Sequence, residues 1–324
     1  MHHSLPHNSP PHDTSKLSPL VAVVGPTGSG KSHLALTLAE GFGGEILNCD
    51  SLQVFRFFDI GTAKTPEPER RGIPHHLIDA RDPDQVFTAG DFSREGRRIL
   101  QEITSRQNTP IVTGGTGFYL RALIEGLAPG PARDAELRIG LAEREKRRPG
   151  ALHRLLRRLD APTAARIHSN DLPKLIRALE ICLAERKSAT EVFAAGRDAL
   201  EGYRVLKLGL FPPREQLYSR LENRLEEMFA GGLLEEVESI LARGFACEAK
   251  PFESIGYKQA LQVVKGELML KDALFYARRD TRRYAKRQMT WFRQDKGVEF
   301  LYGFGDDAAL VQQAADRVRE FLLA

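Results

Sequence analysis

Cysteine is scarce in this chain. Cys49, Cys182 and Cys247 are the only three in 324 residues and show no paired spacing, which excludes a disulfide framework and a thiolate zinc site and fits a reducing cytoplasm. No run approaches the ~18 apolar residues of a membrane span, and the opening MHHSLPHNSPPHDTSKLSP lacks the apolar segment of a signal peptide. Residues 1–18 read as a disordered tail whose histidines are solvated. Internal repeats are missing, and so is a strong charge imbalance: the net charge is only +4. Its distribution is more telling, because basic residues crowd into 138–158 and 271–293, footprints for a polyanion or, taken singly, solvated helix faces. What is present, 42% hydrophobic residues over this length, suffices for a full core and suggests about two domains.

The strongest positive signal is GPTGSGKS: Gly25, Pro26, Thr27, Gly28, Ser29, Gly30, Lys31 and Ser32 satisfy the phosphate-loop pattern G-x-x-x-x-G-K-[ST]. The apolar strand Leu20 to Val24 before it and the helical run after it supply the required context. Glycines let successive N–H groups turn toward an anion, the helix adds its positive end, Lys31 brings a point charge, and Ser32 offers a hydroxyl to magnesium. This chemistry recognises phosphate, whatever carries it.

Further along, EILNCD reads as a second strand ending at Asp50, with Ser51, Leu52 and Gln53 following in a loop at the strand's carboxyl end, where open parallel sheets bind ligands. Thr88 or Asp91 caps the next helix. The third strand, Pro110 to Val112, runs into Thr113-Gly114-Gly115-Thr116, where many phosphate-loop ATPases carry a magnesium-binding Asp. The glycines there admit close approach by a ligand or a nucleic-acid loop, or form a plain strand-to-helix turn. Residues 129–202 are almost all helix-forming, an all-helical insertion with Leu152, Leu155, Leu156 and Leu159 on one face; His153 and His168 lack metal-ligand spacing. The sheet resumes with Val205 to Leu210, and Gly231-Gly232 separate two helices. Arg220 and Arg224, four apart, share a helix face and suit a diphosphate, or form ion pairs with Glu222, Glu226 and Glu227. In 271–293, Arg279, Arg282, Arg283, Lys286 and Arg293 gather toward one side with aromatics between them, as in a nucleic-acid face.

GPTGSGKS, DSLQVFRFFDIGTAK, GGTGFYLRAL, IHSNDLPKLIRALEI, SIGYKQAL and DTRRYAKRQMTWFR, in this order from Leu20 to Arg293, together resemble the tRNA dimethylallyltransferase (tRNA isopentenyltransferase) family. The resemblance implies an α/β fold: a phosphate-loop NTPase-like core (19–128 and 203–324) with a parallel sheet flanked by helices, plus the helical tRNA-binding insertion. It implies transfer of a dimethylallyl group from dimethylallyl diphosphate, with magnesium, to the exocyclic amine of the adenosine 3′ of the tRNA anticodon, inside a channel through the core. The partners implied are the tRNA anticodon stem-loop and the prenyl donor, with no membrane and a monomeric protein. Asp50 becomes the general base, grouped with Thr116 and Arg138, which also touch RNA and shape the channel. The loop from Gly25 to Ser32 holds the diphosphate with Arg220 or Arg224, and Ser32 takes part in metal binding. Ser51, Leu52 and Gln53 contact the extruded adenosine beside Asp50. Leu175, Ile176 and Arg177, with Arg283, fall on tRNA-contacting positions, while Pro173 and Lys174 replace the family's usual Gln-Arg. Phe55, Phe57 and Phe58 depart from the pattern as a packing change. A small-molecule kinase with Asp50 as base, a prenyltransferase of free adenosine phosphates, and an RNA-binding nucleotide switch are the alternatives. Two basic helices exceed what a nucleotide-sized acceptor requires, and the loop with Asp50 exceeds what mere binding requires.

Overall fold

The computed structural model describes residues 17–194 and 196–324. Most of the expected tail, residues 1–16, lies outside the described residues, and Ser18, its last residue, already opens the first strand. The core elements before the insertion are β1 (Ser18–Val24), α1 (Lys31–Gly41), β2 (Gly44–Asn48), β3 (His75–His76), α2 (Ala89–Ser105), β4 (Thr109–Gly114) and α3 (Gly117–Ile124). The insertion contributes α4 (Ala135–Arg147), α5 (Ala151–Leu159), α6 (Ala161–Arg166), α7 (Leu172–Glu185) and α8 (Ala189–Ala194). The core then continues with β5 (Tyr203–Leu210), α9 (Arg214–Ala230), α10 (Leu233–Ala242), α11 (Tyr257–Val264), α12 (Leu270–Arg293), β6 (Val298–Leu301) and α13 (Ala308–Leu323).

Among the described residues the six strands form one sheet in the order β3-β2-β4-β1-β5-β6, every neighbouring pair parallel. Residues 20–24 of β1 are all buried, which is why this strand reads as an unbroken apolar run. With β4 on one side and β5 on the other, β1 is where the chain reverses its direction of travel across the sheet. A crevice opens there at the strands' carboxyl ends, and Gly25 is the next residue. One core cluster joins β1, β4 and β5 to α1 and α13 through Val21, Leu34, Ile111, Leu208 and Val318. A second gathers Val54, Phe55 and Phe58 with α9 to α12. The three phenylalanines of the departing segment are packing residues: Phe58 is fully buried, with ring centroids 5.1 Å from Phe252 and 4.7 Å from Tyr257.

At α2 both expected caps act together, since Thr88 accepts from the Asp91 amide while Asp91 accepts from that of Thr88. Residues 124–200 form a compact unit of their own, five residues earlier than the expected start and two earlier than the expected end. Its core is built on Leu152, Leu156, Leu175 and Leu179. Leu175 is wholly buried and Ile176 is 8% exposed. This corrects the assignment of both side chains to RNA contact: they hold α7 in its unit.

Candidate active site

The loop after β1 turns into α1 through Gly30, whose φ of 83° is the left-handed conformation that only glycine adopts without strain. A Cβ there would also sit 2.8 Å from the Gly305 amide. Lys31 projects back over the loop and donates to the Pro26 carbonyl at 3.2 Å. Burial, with Arg224 nearby, pulls its pKa down to about 8 against the opposing pull of Asp50. Ser29 is completely buried and its hydroxyl has no hydrogen-bond partner.

Beyond β2, Asp50 Oδ1 accepts from the amides of Leu52 at 2.9 Å and Gln53 at 3.4 Å, an Asx turn that fixes the carboxylate and leaves Oδ2 available. The loop carrying it is strapped at several points. Gln53 donates to the carbonyls of Thr62 at 3.0 Å and Ala63 at 3.3 Å. Buried Lys64 reaches the Phe55 carbonyl, Asp59 and Asp79. Glu236 accepts from the amides of Asp59 and Ile60 and from the Tyr257 hydroxyl, which itself receives the Gly61 amide. Burial raises the Glu236 pKa against these donors. Cys49, immediately before Asp50, is buried, and burial pushes its thiol pKa well up.

These parts surround a cavity of about 380 Å³, a volume suited to a small ligand. Thr27, Lys31 and Ser32 come from the loop, Asp50 to Gln53 from the end of β2, Thr113 and Gly114 from β4, Arg224 from α9, and Tyr284, Arg287 and Gln288 from α12. Three cations, Lys31, Arg224 and Arg287, share the wall with two carboxylates, Asp50 and Glu253, and burial lowers the Arg224 pKa. The structure separates the two arginines of α9. Arg224 faces the cavity, whereas Arg220 makes two bonds to Asp306, at 2.9 and 2.7 Å, and lies over Phe304. Of the nearby glutamates, Glu222 pairs with Arg282 and Glu226 with Arg278, both on α12, while Glu227 acts on Arg224 only through its charge. Part of the basic face of α12 is therefore neutralised by α9, while Arg283 stays 65% exposed.

Thr116 does not line the cavity. Its hydroxyl accepts from the Ser51 amide at 3.1 Å, so it steadies the loop that carries Asp50. Gly114 of GGTG lines the cavity, but Gly115 and Gly117 have a cause other than ligand approach. A Cβ on Gly115 would lie 2.2 Å from the Gln288 amide nitrogen, and one on Gly117 would lie 2.2 Å from the Trp291 indole nitrogen. At these two positions what approaches is α12 itself, whereas at Gly114 it is the Cys49 carbonyl. Gln288, Tyr284 and Arg287 are absent from the set of site residues drawn from the sequence. In DTRRYAKRQMTWFR the dense basic pattern obscures them, and helical spacing alone does not say which face turns inward.

In the helical unit, Arg138 makes a bidentate pair with Glu180 at 2.8 and 2.9 Å. Arg177 bonds the same carboxylate at 2.5 Å and the Pro131 carbonyl at 3.1 Å. Pro173 opens α7 and Lys174, 70% exposed, pairs with Asp171. Of the expected RNA-contacting run, the side chains of Pro173 and Lys174 lie at the surface and that of Arg177 is half-buried. Among the described residues no group of three or more His, Cys, Asp or Glu could hold a metal. Ser32 and Asp50 are among several oxygen-bearing side chains of the cavity wall, which also include Glu253, and among the described residues the buried Thr113 hydroxyl has no hydrogen-bond partner.

The family model for IPP transferase matches residues 53–295. The chain belongs to the IPP transferase family. It is 61% identical to a tRNA dimethylallyltransferase of Solibacter usitatus, over 94% of this chain and 99% of that protein. A Koribacter versatilis protein of the same name is 50% identical over 93% and 98%. A solved tRNA isopentenylpyrophosphate transferase of Bacillus halodurans superposes with a TM-score of 0.70 at 34% identity, covering 94% and 96% of the two chains. A eukaryotic dimethylallyltransferase, solved acting on tRNA, gives 0.81 at 29% identity, covering 94% of this chain and 79% of that one. The parallel sheet flanked by helices is thus the fold of this IPP transferase and of its solved relatives.

Proposed function

We propose that this IPP transferase moves a dimethylallyl group from dimethylallyl diphosphate to the exocyclic amine of the adenosine 3′ of the tRNA anticodon, releasing diphosphate. The observation that carries the reading is one cavity in which a fixed carboxylate, Asp50, shares a wall with Lys31 and Arg224, half-buried cations with no carboxylate ion pair among the described residues.

The diphosphate lies against the loop from Gly25 to Ser32, with Lys31 and Arg224 meeting its charge. As the allylic carbon–oxygen bond breaks, its electron pair leaves on the diphosphate, where fixed cations and amides stabilise it without reorganising. The adenine amine forms the new carbon–nitrogen bond and passes its proton to Asp50. That amine is a poor nucleophile because its lone pair is delocalised, so a positioned base is needed. The target adenosine reaches the cavity only once it has left the loop stack, and Ser51, Leu52 and Gln53 receive it. Ser32 and Asp50 offer hard oxygens of the kind magnesium prefers, and an ion held there would keep waters and substrate phosphates among its ligands. When bound, the metal adds positive charge beside the leaving group. Exposed cations of α12, Arg283 among them, and Lys174 beside Pro173 meet the RNA backbone, and the protein works as a cytoplasmic monomer.

Incubation with dimethylallyl diphosphate, magnesium and unmodified tRNA, followed by nucleoside mass spectrometry, is expected to show one five-carbon addition on a single adenosine. ATP turnover without any gain of mass on tRNA would sink the assignment.

A further inference from the structure

Gln288 has no part in the steps above, yet it stands at their centre. The side chain is buried on α12 and makes two bonds at once: Oε1 accepts from the Thr27 amide at 2.9 Å and Nε2 donates to the Gly115 carbonyl at 2.9 Å. The amide does this in one orientation only, with its oxygen toward Thr27 and its nitrogen toward Gly115. Thr27 belongs to the diphosphate loop, and Gly115 directly follows β4. The fit leaves no slack, since a methyl group on Gly115 would collide with this amide.

The same helix carries the other half of the argument. Arg283 and Lys286 are exposed, Tyr284 and Arg287 line the cavity, and Gln288 follows them within little more than a turn. A rigid helix thus bears both cations for a polyanion and the clamp on the phosphate loop. The Thr27 amide, being held by Gln288, is also taken out of the set of N–H groups aimed at an anion, so the loop's shape depends on where α12 stands.

We propose that Gln288 is a positioning residue that couples the two substrate sites. By tying Thr27 to Gly115 it sets the diphosphate loop in the frame of α12, so that tRNA along α12 and diphosphate in the loop favour the same arrangement. It touches neither reacting atom. A glutamate at this position would keep the bond from Thr27 but place a carboxylate against the Gly115 carbonyl and beside the leaving group. The inference rests on the reading of this cavity as the meeting place of tRNA and prenyl donor.

Coupling between two ligands is reciprocal, each tightening the other by the same factor. Binding of inorganic diphosphate with magnesium is measured with and without unmodified tRNA, and tRNA binding with and without diphosphate. In the wild-type protein each is expected to tighten the other about tenfold. In Gln288→Met, which keeps the bulk and loses both bonds, each ligand alone binds nearly as before. The coupling factor falls to about one, and kcat falls more than either KM rises. Gln288→Glu, measured in the same way, supplies the answer if the methionine variant does not fold. Coupling retained in a folded variant, or absent from a wild-type protein that binds both ligands, overturns the proposal. A wild-type protein that binds no tRNA overturns the functional reading beneath it.

Discussion

Two regions of this chain bury charge in opposite ways. In the helical unit, Glu180 is fully buried, but Arg138, Arg177 and the Asp134 amide all converge on it. Burial works against its charge, yet these partners hold its pKa down at about 2. In the core, Lys31 and Arg224 are half-buried at the cavity without a carboxylate ion pair among the described residues, and desolvation lowers their pKa values. A buried charge with its partners on the protein holds the protein together, and removing one partner is costly. A buried cation short of partners is completed by a ligand, and such groups cluster where chemistry occurs.

The sharpest way to break this contrast is at Asp50. Asp50→Asn keeps the Asx turn and removes the base, so kcat is expected to fall by about 10²–10⁴ while tRNA affinity, read by filter binding, is nearly intact. A near-normal rate would remove Asp50 from the mechanism. Arg224→Ala is next, with about a 10²-fold loss in kcat/KM for the prenyl donor. Its melting temperature should hold or rise, because a half-buried cation and its repulsion from Lys31 disappear. A large drop in stability would place Arg224 with Glu180 as a structural charge. The opposite outcome is expected for Arg138→Ala, which leaves Glu180 buried beside a single arginine and costs the helical unit about 3 kcal/mol, seen as faster amide exchange in residues 124–200. Unchanged exchange with lost tRNA binding would make Arg138 an RNA ligand after all.

The same contrast has a pH signature. For Lys31 the folded pKa of about 8 lies below the ordinary 10.5. Between these values the unfolded chain holds more protons, so this group's penalty on stability, full below about 8, is relieved as pH rises. Diphosphate binding runs the other way, weakening above pH 8 with uptake of a proton, and calorimetry of Lys31→Met in two buffers should lose both slopes. For Glu180 the folded pKa of about 2 lies below the ordinary 4.5, so its contribution is present above 4.5 and is lost as pH falls toward 2. The smallest effect is expected on the exposed face: Arg283→Ala weakens tRNA binding a few-fold and reduces the salt slope by about one. Binding and slope identical to wild type would demote that arginine to a solvated charge.

The phosphate loop, the strand before it, Asp50 at the end of β2 and the Thr88–Asp91 cap were legible in the sequence because each depends on neighbours a few residues away. Arg224 was legible only as half of a pair, since helical spacing places Arg220 on the same face and cannot show that Asp306 claims it. The Arg138–Glu180 pair left no trace in the sequence because its members are 42 residues apart and are joined only by folding, whereas Arg177 lies three residues from Glu180 on one helix. Gln288 left no signal at all. Its partners are 261 and 173 residues away, and a glutamine within a basic helix resembles surface.

The residue before the proposed base has a consequence for the durability of the enzyme. Alkylating reagents and peroxides attack the thiolate. Cys49, next to Asp50, is sealed from solvent, with its proton held by burial and by the adjacent carboxylate. A sulfur atom at the threshold of the catalytic centre is thus kept chemically silent. Under peroxide, half-exposed Cys247 is therefore expected to be oxidised before buried Cys49, which mass spectrometry of the treated protein checks.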